Sequence, residues 1–329
     1  MRVLVNGLGN IGSTIIQLLL RYKLEFGLDE ILVHKRTQNP WNKADIEAIE
    51  SLGVKVLTTT QFESEKSKVH YIFEATPNGI GLSNKPDYEA LPNLIGASAQ
   101  GSEKGFGIPF ISGVNNELIR DQKMVHVVSC NTHGTAALLQ LFGGKDLSNI
   151  KSADVVVVRR SEDISNHQRL VSGNVIARHL DPDIGTHHAI DVIDLYKTLD
   201  IECNLTSSDI TTPSQFLHTV RFNFKLKESV NIPDLLATSD FVGITNKFDS
   251  NVVFEMGRRF GFAGRLYNHA ILVKSNIMKH GNTVKGWAFV PQEGNTIIST
   301  LHAFLLQTNH ESEKQLIEMI KKDLVIKSL

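Results

Sequence analysis

Cysteine is scarce in this chain: Cys130 and Cys203 are the only two among 329 residues. Two thiols build no disulfide framework and no cysteine-cluster metal site, and lone thiols fit a reducing compartment. Long apolar runs are missing as well. Stretches such as Val155 to Val158 fall far short of the ~20 residues that cross a bilayer. The first residues lack the apolar core of a signal peptide. The expectation is a cytoplasmic protein without a membrane partner. Excess charge of one sign is also absent: 34 Lys and Arg stand against 35 Asp and Glu, a formal net charge of −1. That excludes a strongly basic nucleic-acid platform and an acidic solvating tail. What remains is 41% hydrophobic and 21% charged, an ordinary globular composition long enough for two domains.

The first 130 residues alternate strand-like and helix-like segments. Residues 2–6 form an apolar strand, 11–21 carry helical periodicity, and 30–35 form a second strand. A helix is expected over 41–52, ending at Gly53. Short buried strands are expected at 55–58, 69–75, 94–97, 109–112 and 125–129. This rhythm predicts an α/β fold with a doubly wound parallel sheet of the Rossmann type. After Cys130 the rhythm changes. Residues 135–142 look helical until Gly143-Gly144, and 153–160 read as a long strand. Over 216–227, Phe216, His218, Val220, Phe222, Phe224 and Leu226 share one face, the period-2 pattern of a half-solvated antiparallel strand. Further strands at 269–276 and 284–290 precede helices at 295–307 and 311–322. We therefore expect a first domain over 1–129 and an α+β domain with a mainly antiparallel sheet over 130–293. The helices of about 294–329 are expected to pack back on the first domain.

Gly7-Leu8-Gly9-Asn10-Ile11-Gly12 fits G-x-G-x-x-G, directly after a strand and opening a helix. In that context Gly7 permits the tight turn, Gly9 lets backbone approach a pyrophosphate, and Gly12 allows close helix–strand packing. A dinucleotide is the expected cofactor, contacting Gly7, Gly9, Asn10, Ile11 and Gly12. NAD-selective sites usually end the second strand with an acid on the ribose 2′-OH. Here the strand runs into His34-Lys35-Arg36. A cationic end with Lys35 and Arg36 suits a 2′-phosphate, so the expected cofactor is NADP and/or NAD.

Cys130 sits where an apolar strand ends and a helix begins, in Val128-Ser129-Cys130-Asn131-Thr132-His133-Gly134. A helix N-terminus favours the thiolate, the nucleophilic form. Around this motif the sequence resembles the archaeal-type (class II) phosphorylating glyceraldehyde-3-phosphate dehydrogenases. Their cysteine motif is matched by Val128-Ser129-Cys130-Asn131-Thr132 with Gly134, and the following strand by Val157-Val158-Arg159-Arg160. Thr186-His187-His188 with Asp191 resembles their Ser-His-His-Gly-x-Asp segment, and Pro213-Ser214-Gln215-Phe216-Leu217-His218 their base segment. Thr76-Pro77-Asn78-Gly79-Ile80-Gly81, Gln100-Gly101-Ser102-Glu103-Lys104 and Pro291-Gln292-Glu293 also match. These motifs occur in order over nearly the whole chain. Four positions depart: His133 replaces a Thr, Ser102 a Gly, Pro291 a His, and Val220 the second His of a His-x-His pair.

The resemblance implies that Cys130 attacks an aldehyde carbon while His218 acts as base. Hydride leaves to nicotinamide, and inorganic phosphate releases the resulting thioester as an acyl phosphate. It adds Thr76, Pro77, Gly101 and Gln292 on the cofactor side. Ser129, Asn131 and Thr132 are expected around the substrate. Arg159, Arg160, His187 and His188 are expected to hold a phosphorylated aldehyde and inorganic phosphate. Successive strand residues face opposite ways, and we expect Arg160 to be the one that enters the pocket. No HExxH motif or nearby Cys pair suggests a metal. The resemblance further implies a homotetramer, with a role in glycolysis or gluconeogenesis. Two alternatives stay open: a related thiol-dependent semialdehyde or acyl-phosphate reductase, or a nucleotide-binding paralogue with altered catalysis.

Overall fold

The computed structural model describes residues 1–37, 40–161, 171–213 and 215–329; Ser214 of the base segment lies outside them. The chain forms two compact units. One comprises Met1–Val128 with Ile297–Glu318, the other Ser129–Thr296 with Met319–Leu329.

In the first unit, β1 (Arg2–Asn6), α1 (Asn10–Arg21), β2 (Glu30–His34), α2 (Lys43–Ser51), β3 (Lys55–Leu57), α3 (Thr59–Glu65), β4 (Tyr71–Glu74), α4 (Ile80–Glu89), β5 (Gly96–Gln100), β6 (Ile108–Phe110) and β7 (Met124–Val127) follow one another. The strands form one sheet in the order β3-β2-β1-β4-β5-β7-β6, and every pairing is parallel. The order reverses direction at β1. Crevices for ligands lie beyond the carboxyl ends of strands at such a switch point.

The α/β fold is the one expected, with local differences. β5 starts at Gly96 and runs on through Ser98 and Gln100, residues whose polarity hides a buried strand. The gap-filler is Gln307: a Cβ at Gly96 would meet its side chain at 2.8 Å. The helix α3 carries one buried apolar residue, Phe62, and is started by a capping box between Thr58 and Gln61. Such a helix leaves little hydrophobic periodicity to read.

In the second unit, α5 (Cys130–Gly143), β8 (Ile150–Arg160), β9 (Val175–Ile176), α6 (His187–Lys197), β10 (Leu205–Thr212), β11 (His218–Leu226), α7 (Ile232–Thr238), β12 (Val242–Thr245), α8 (Ser250–Phe260), β13 (Ala270–Val273), β14 (Met278–His280) and β15 (Thr283–Val290) build a mixed sheet. Its order is β12-β13-β15-β11-β8-β10-β9, with β14 on β15. Two of its pairings, β8–β10 and β12–β13, are parallel, and the rest are antiparallel. On β11 the residues His218, Val220, Phe222, Phe224 and Leu226 are all buried, the alternation that the sequence showed. β10 was not foreseen. Its inward positions include Ser207 and Asp209, both buried, so the face reads as polar in sequence.

The last helices are α9 (Ile297–Gln307) and α10 (Glu313–Leu324). All eleven residues of α9 are buried. Its Phe304 ring lies 5.5 Å from Phe26, 5.0 Å from Tyr71 and 5.6 Å from Phe73. Buried polar links complete the seat: Ser112 with His302 at 2.6 Å, His302 with Glu313 at 2.8 Å, and Arg120 with Glu313 at 3.0 Å.

Candidate functional site

The glycine loop connects β1 to α1 in the first unit. Gly7 has φ +110°, and a Cβ there would come within 2.5 Å of the Ala75 carbonyl oxygen. At Gly12 a Cβ would fall 2.1 Å from the Gly7 oxygen. Both glycines are therefore required by the protein's own packing. Gly9 differs: a Cβ there would meet nothing within 4 Å, and as N-cap it offers no side-chain acceptor to the helix amides. The buried Asn10 Nδ2 also lacks a hydrogen-bond partner. Open space, uncapped amides and an orphaned donor together suit a dinucleotide pyrophosphate.

The cationic end of β2 is smaller than the sequence suggested. His34 turns inward, places Nδ1 2.7 Å from Asn6 Oδ1, and stacks on Phe62 at 4.3 Å. Burial lowers its pKa, with Glu74 and Glu63 opposing, so His34 adds no charge near neutrality. Lys35, half-buried, and Arg36, exposed, remain. Thr76 gives its amide and hydroxyl to Glu74 Oε1, at 3.0 and 2.5 Å. Pro77 accepts the Ile80 amide, and Gly101, at φ +76°, pairs with Val127 and with His126 Nε2. Glu103, named in a matching motif but given no role there, accepts the Gly79 and Leu82 amides at the start of α4 through its carboxylate. Gln292 belongs to the second unit, where its Oε1 is buried without a hydrogen-bond partner.

In the second unit the thiol is the first residue of α5. Ser129 caps that helix, its hydroxyl accepting the Thr132 amide, while Asn131 and Thr132 lie buried behind it. Asn295 Nδ2 clamps the Cys130 carbonyl at 2.9 Å and the His269 carbonyl at 3.2 Å. One turn on, a Cβ at Gly134 would strike the Val290 side chain at 2.6 Å. Val290 is the strand partner of His218, so the first turns of α5 run over the end of β11.

Arg160, at the end of β8, is common to both groups. Its backbone amide donates to His218 Nδ1 at 3.1 Å. Its guanidinium donates to the Phe216 carbonyl at 2.9 Å and to Glu293 Oε1 at 2.5 Å. Arg265 approaches the other Glu293 oxygen at 4.0 Å. Arg160 is held as half of a buried ion pair rather than as a free phosphate clamp.

The thiol and the imidazole are both held in their neutral forms. Cys130 keeps some solvent access, yet protein atoms crowd its sulfur. Desolvation pushes the thiol up to about 11, against the pull of Arg160 and the Asn131 amide. The thiolate expected from the helix N-terminus is thus not the resting form at neutral pH. His218 lies well below its ordinary value, through desolvation first, then Arg160, His188 and Arg159.

A second cluster adjoins His218. Arg159 is 38% exposed at its side chain and lies 3.9 Å from Asp209. His188 Nε2 lies 3.4 Å from Asp209 Oδ2, and the His187 and His188 rings are 3.9 Å apart. Both histidines open α6 after Thr186. The ligating atoms of His187, His188 and Asp209 all lie within 4.8 Å of one another, spacing that a cation could use. Arg159 and the helix N-terminus favour an anion instead. Asp209 was invisible in the sequence because β10 was not foreseen.

No family model matches the chain. It is similar to the glyceraldehyde-3-phosphate dehydrogenase of Saccharolobus solfataricus, 27% identical over 271 residues, covering 77% of this chain and 76% of that protein. The enzyme of the same name from Sulfurisphaera tokodaii is 24% identical over 323 residues, covering 92% of this chain and 90% of that protein. These distant likenesses to dehydrogenases support a glyceraldehyde-3-phosphate dehydrogenase-like family. Among the described residues no helix is long and apolar enough to cross a membrane.

Proposed function

We propose that the protein is a phosphorylating glyceraldehyde-3-phosphate dehydrogenase of the archaeal class II type, using NADP and/or NAD reversibly in glycolysis or gluconeogenesis. The observation that carries this reading is Cys130 at the start of a capped helix, with Arg160 acting on both the thiol and His218. Gly7, Gly9, Asn10, Ile11 and Gly12 would hold the dinucleotide pyrophosphate, with Lys35 and Arg36 near its adenosine end. When bound, the nicotinamide supplies the hydride acceptor.

Cys130 bonds to the aldehyde carbon, and oxidation of that adduct leaves a thioester on sulfur. Inorganic phosphate then attacks the thioester carbon, releasing the acyl phosphate and the thiolate. The Cys130 and Asn131 amides at the start of α5, which act on the sulfur, stabilise negative charge on the substrate oxygen, and His218 is the base for its proton. Arg159, with His187, His188 and the first turn of α6, binds the phosphates. Arg160 serves through charge, its guanidinium being committed to Glu293. A homotetramer is the assembly proposed, on the resemblance alone.

The test is to mix the protein with glyceraldehyde 3-phosphate, phosphate and either cofactor, and follow absorbance of the reduced nicotinamide. Turnover is expected with at least one cofactor. Cys130→Ser should abolish it while leaving cofactor binding intact. Turnover with aspartate semialdehyde but not with glyceraldehyde 3-phosphate would replace this reading by a semialdehyde dehydrogenase.

A further inference from the structure

We propose that His187, His188 and Asp209 form a binding site for a divalent cation of the zinc class. The site is built by strand alternation. Ser207 and Asp209 lie two residues apart on β10 and share its buried face. Ser207 Oγ accepts the Ala189 amide at 3.0 Å and pairs with the Thr186 hydroxyl at 2.7 Å. Those bonds fix the start of α6 over β10. The next inward position, Asp209, thereby meets the two histidines that open the helix. No spacing rule in the sequence joins them, because the carboxylate comes from a separate strand.

Four polar atoms of this cluster are buried without a hydrogen bond: both ring nitrogens of His188 and both carboxylate oxygens of Asp209. Each of the two residues is only 2% exposed. Buried polar groups are ordinarily satisfied, and a buried carboxylate most of all. The neighbours of Asp209 do not meet that need. Arg159 stands off at 3.9 Å from Oδ1. His188 Nε2, 3.4 Å from Oδ2, makes no hydrogen bond there. A phosphate would only bring more negative charge toward these oxygens. A divalent cation takes lone pairs from Asp209 and from the imidazoles together.

The donor set selects the ion. Imidazole with carboxylate suits Zn2+ and its neighbours, whereas Mg2+ and Ca2+ prefer shells of oxygen. A tetrahedral cation with bonds of about 2.1 Å needs its ligand atoms about 3.4 Å apart. His188 Nε2 and Asp209 Oδ2 already have that spacing. The ligating atoms of all three residues lie within 4.8 Å of one another, and His187, half-buried, closes the remainder by turning its ring. Three protein ligands leave a fourth position for water. The site does not depend on the reaction proposed above. There the histidines serve phosphate through their N–H groups, whereas a cation takes them through their lone pairs.

Co2+ is the probe, since its spectrum reports its ligands. The protein is treated with EDTA, titrated with CoCl2, and then titrated with ZnCl2 to displace the cobalt. One equivalent is expected to bind, with ligand-field bands in the visible and no sulfur-to-cobalt band in the near ultraviolet. The missing sulfur band separates this site from Cys130 and Cys203. Asp209→Asn and His188→Gln should each weaken binding about tenfold or more, the scale that even the outer partners of metal ligands reach. Arg159→Gln removes a competing cation from Asp209 and should tighten binding about fivefold, the upper end for a partly exposed pair. These opposite signs separate a ligand role from a loss of folding, which circular dichroism of each variant also checks. No bound equivalent, a sulfur band, or equal affinity in the parent and Asp209→Asn would overturn the site. The titration needs no turnover, so failure of the proposed dehydrogenase reaction would leave its result standing.

Discussion

Cys130 stands between two influences of opposite sign. The amides of α5 and the Arg160 guanidinium favour its thiolate, and desolvation disfavours it and wins, pushing the thiol up to about 11. Only the thiolate reacts with iodoacetamide. Labelling of Cys130 should therefore accelerate about tenfold per pH unit between pH 7 and 9. A plateau below pH 8, measured by mass spectrometry of the labelled peptide, would show that the thiol ionises early. The neighbouring ion pair makes a second prediction. Arg160 and Glu293 are both nearly fully buried, so removing one partner strands the other charge. Glu293→Gln should cost roughly 3–5 kcal/mol, whereas replacing both by apolar residues of similar volume should recover most of that. Urea unfolding of the single and double variants measures the difference, and equal losses in both would refute the pairing argument.

At the scale of elements, the β1–α1 turn separates glycines that the fold needs from one that it does not. Gly12→Ala would force a Cβ to 2.1 Å from the Gly7 carbonyl, whereas Gly9→Ala enters open space. Gly9→Ala should cost about 1 kcal/mol of stability, the usual scale for placing Ala at an N-cap. Dinucleotide binding, followed by fluorescence titration, should nonetheless be lost. Intact binding in Gly9→Ala would argue against a pyrophosphate at this loop. The strand β8 shows what alternation alone could decide. Arg159 and Arg160 face opposite ways, as expected, but their fates depend on neighbours. β10 supplies Asp209 beside Arg159 and the turn after β15 supplies Glu293 for Arg160. Neither acid was signalled as a partner, because each lies about fifty or more residues away in the chain.

For the whole molecule, buried histidines set the acid limit of stability. His218 and His269 both lie well below their ordinary value, chiefly through desolvation. As pH falls below about 6.5 the unfolded chain binds protons at these residues before the folded chain does. Their contribution is fully present above that pH and shrinks as acid is added. The loss is about 1.4 kcal/mol per pH unit for each such proton. Thermal melts from pH 7 to 5 should show this slope, and His269→Phe should reduce it. An unchanged slope in that variant would mean that His269 takes up its proton in the folded protein. The other charged pairs with the clearest shifts, Glu65 and Glu255, lie at the surface, where solvent and salt screen them.

The sequence by itself determined the parallel βαβ order of the first unit, the glycine turn, the alternating face of β11 and the place of Cys130 at a strand–helix junction. Each of these is local: periodicity, a positive-φ glycine, or a cap, all set within a few residues. The tertiary structure alone decided which groups are charged and which are committed. Burial silenced His34, raised the thiol, and bound Arg160 to Glu293. It also brought Asp209 beside His188 and aimed a backbone N–H at Nδ1 of His218. Desolvation and hydrogen-bond direction depend on atoms distant in sequence, so no local pattern could have set them.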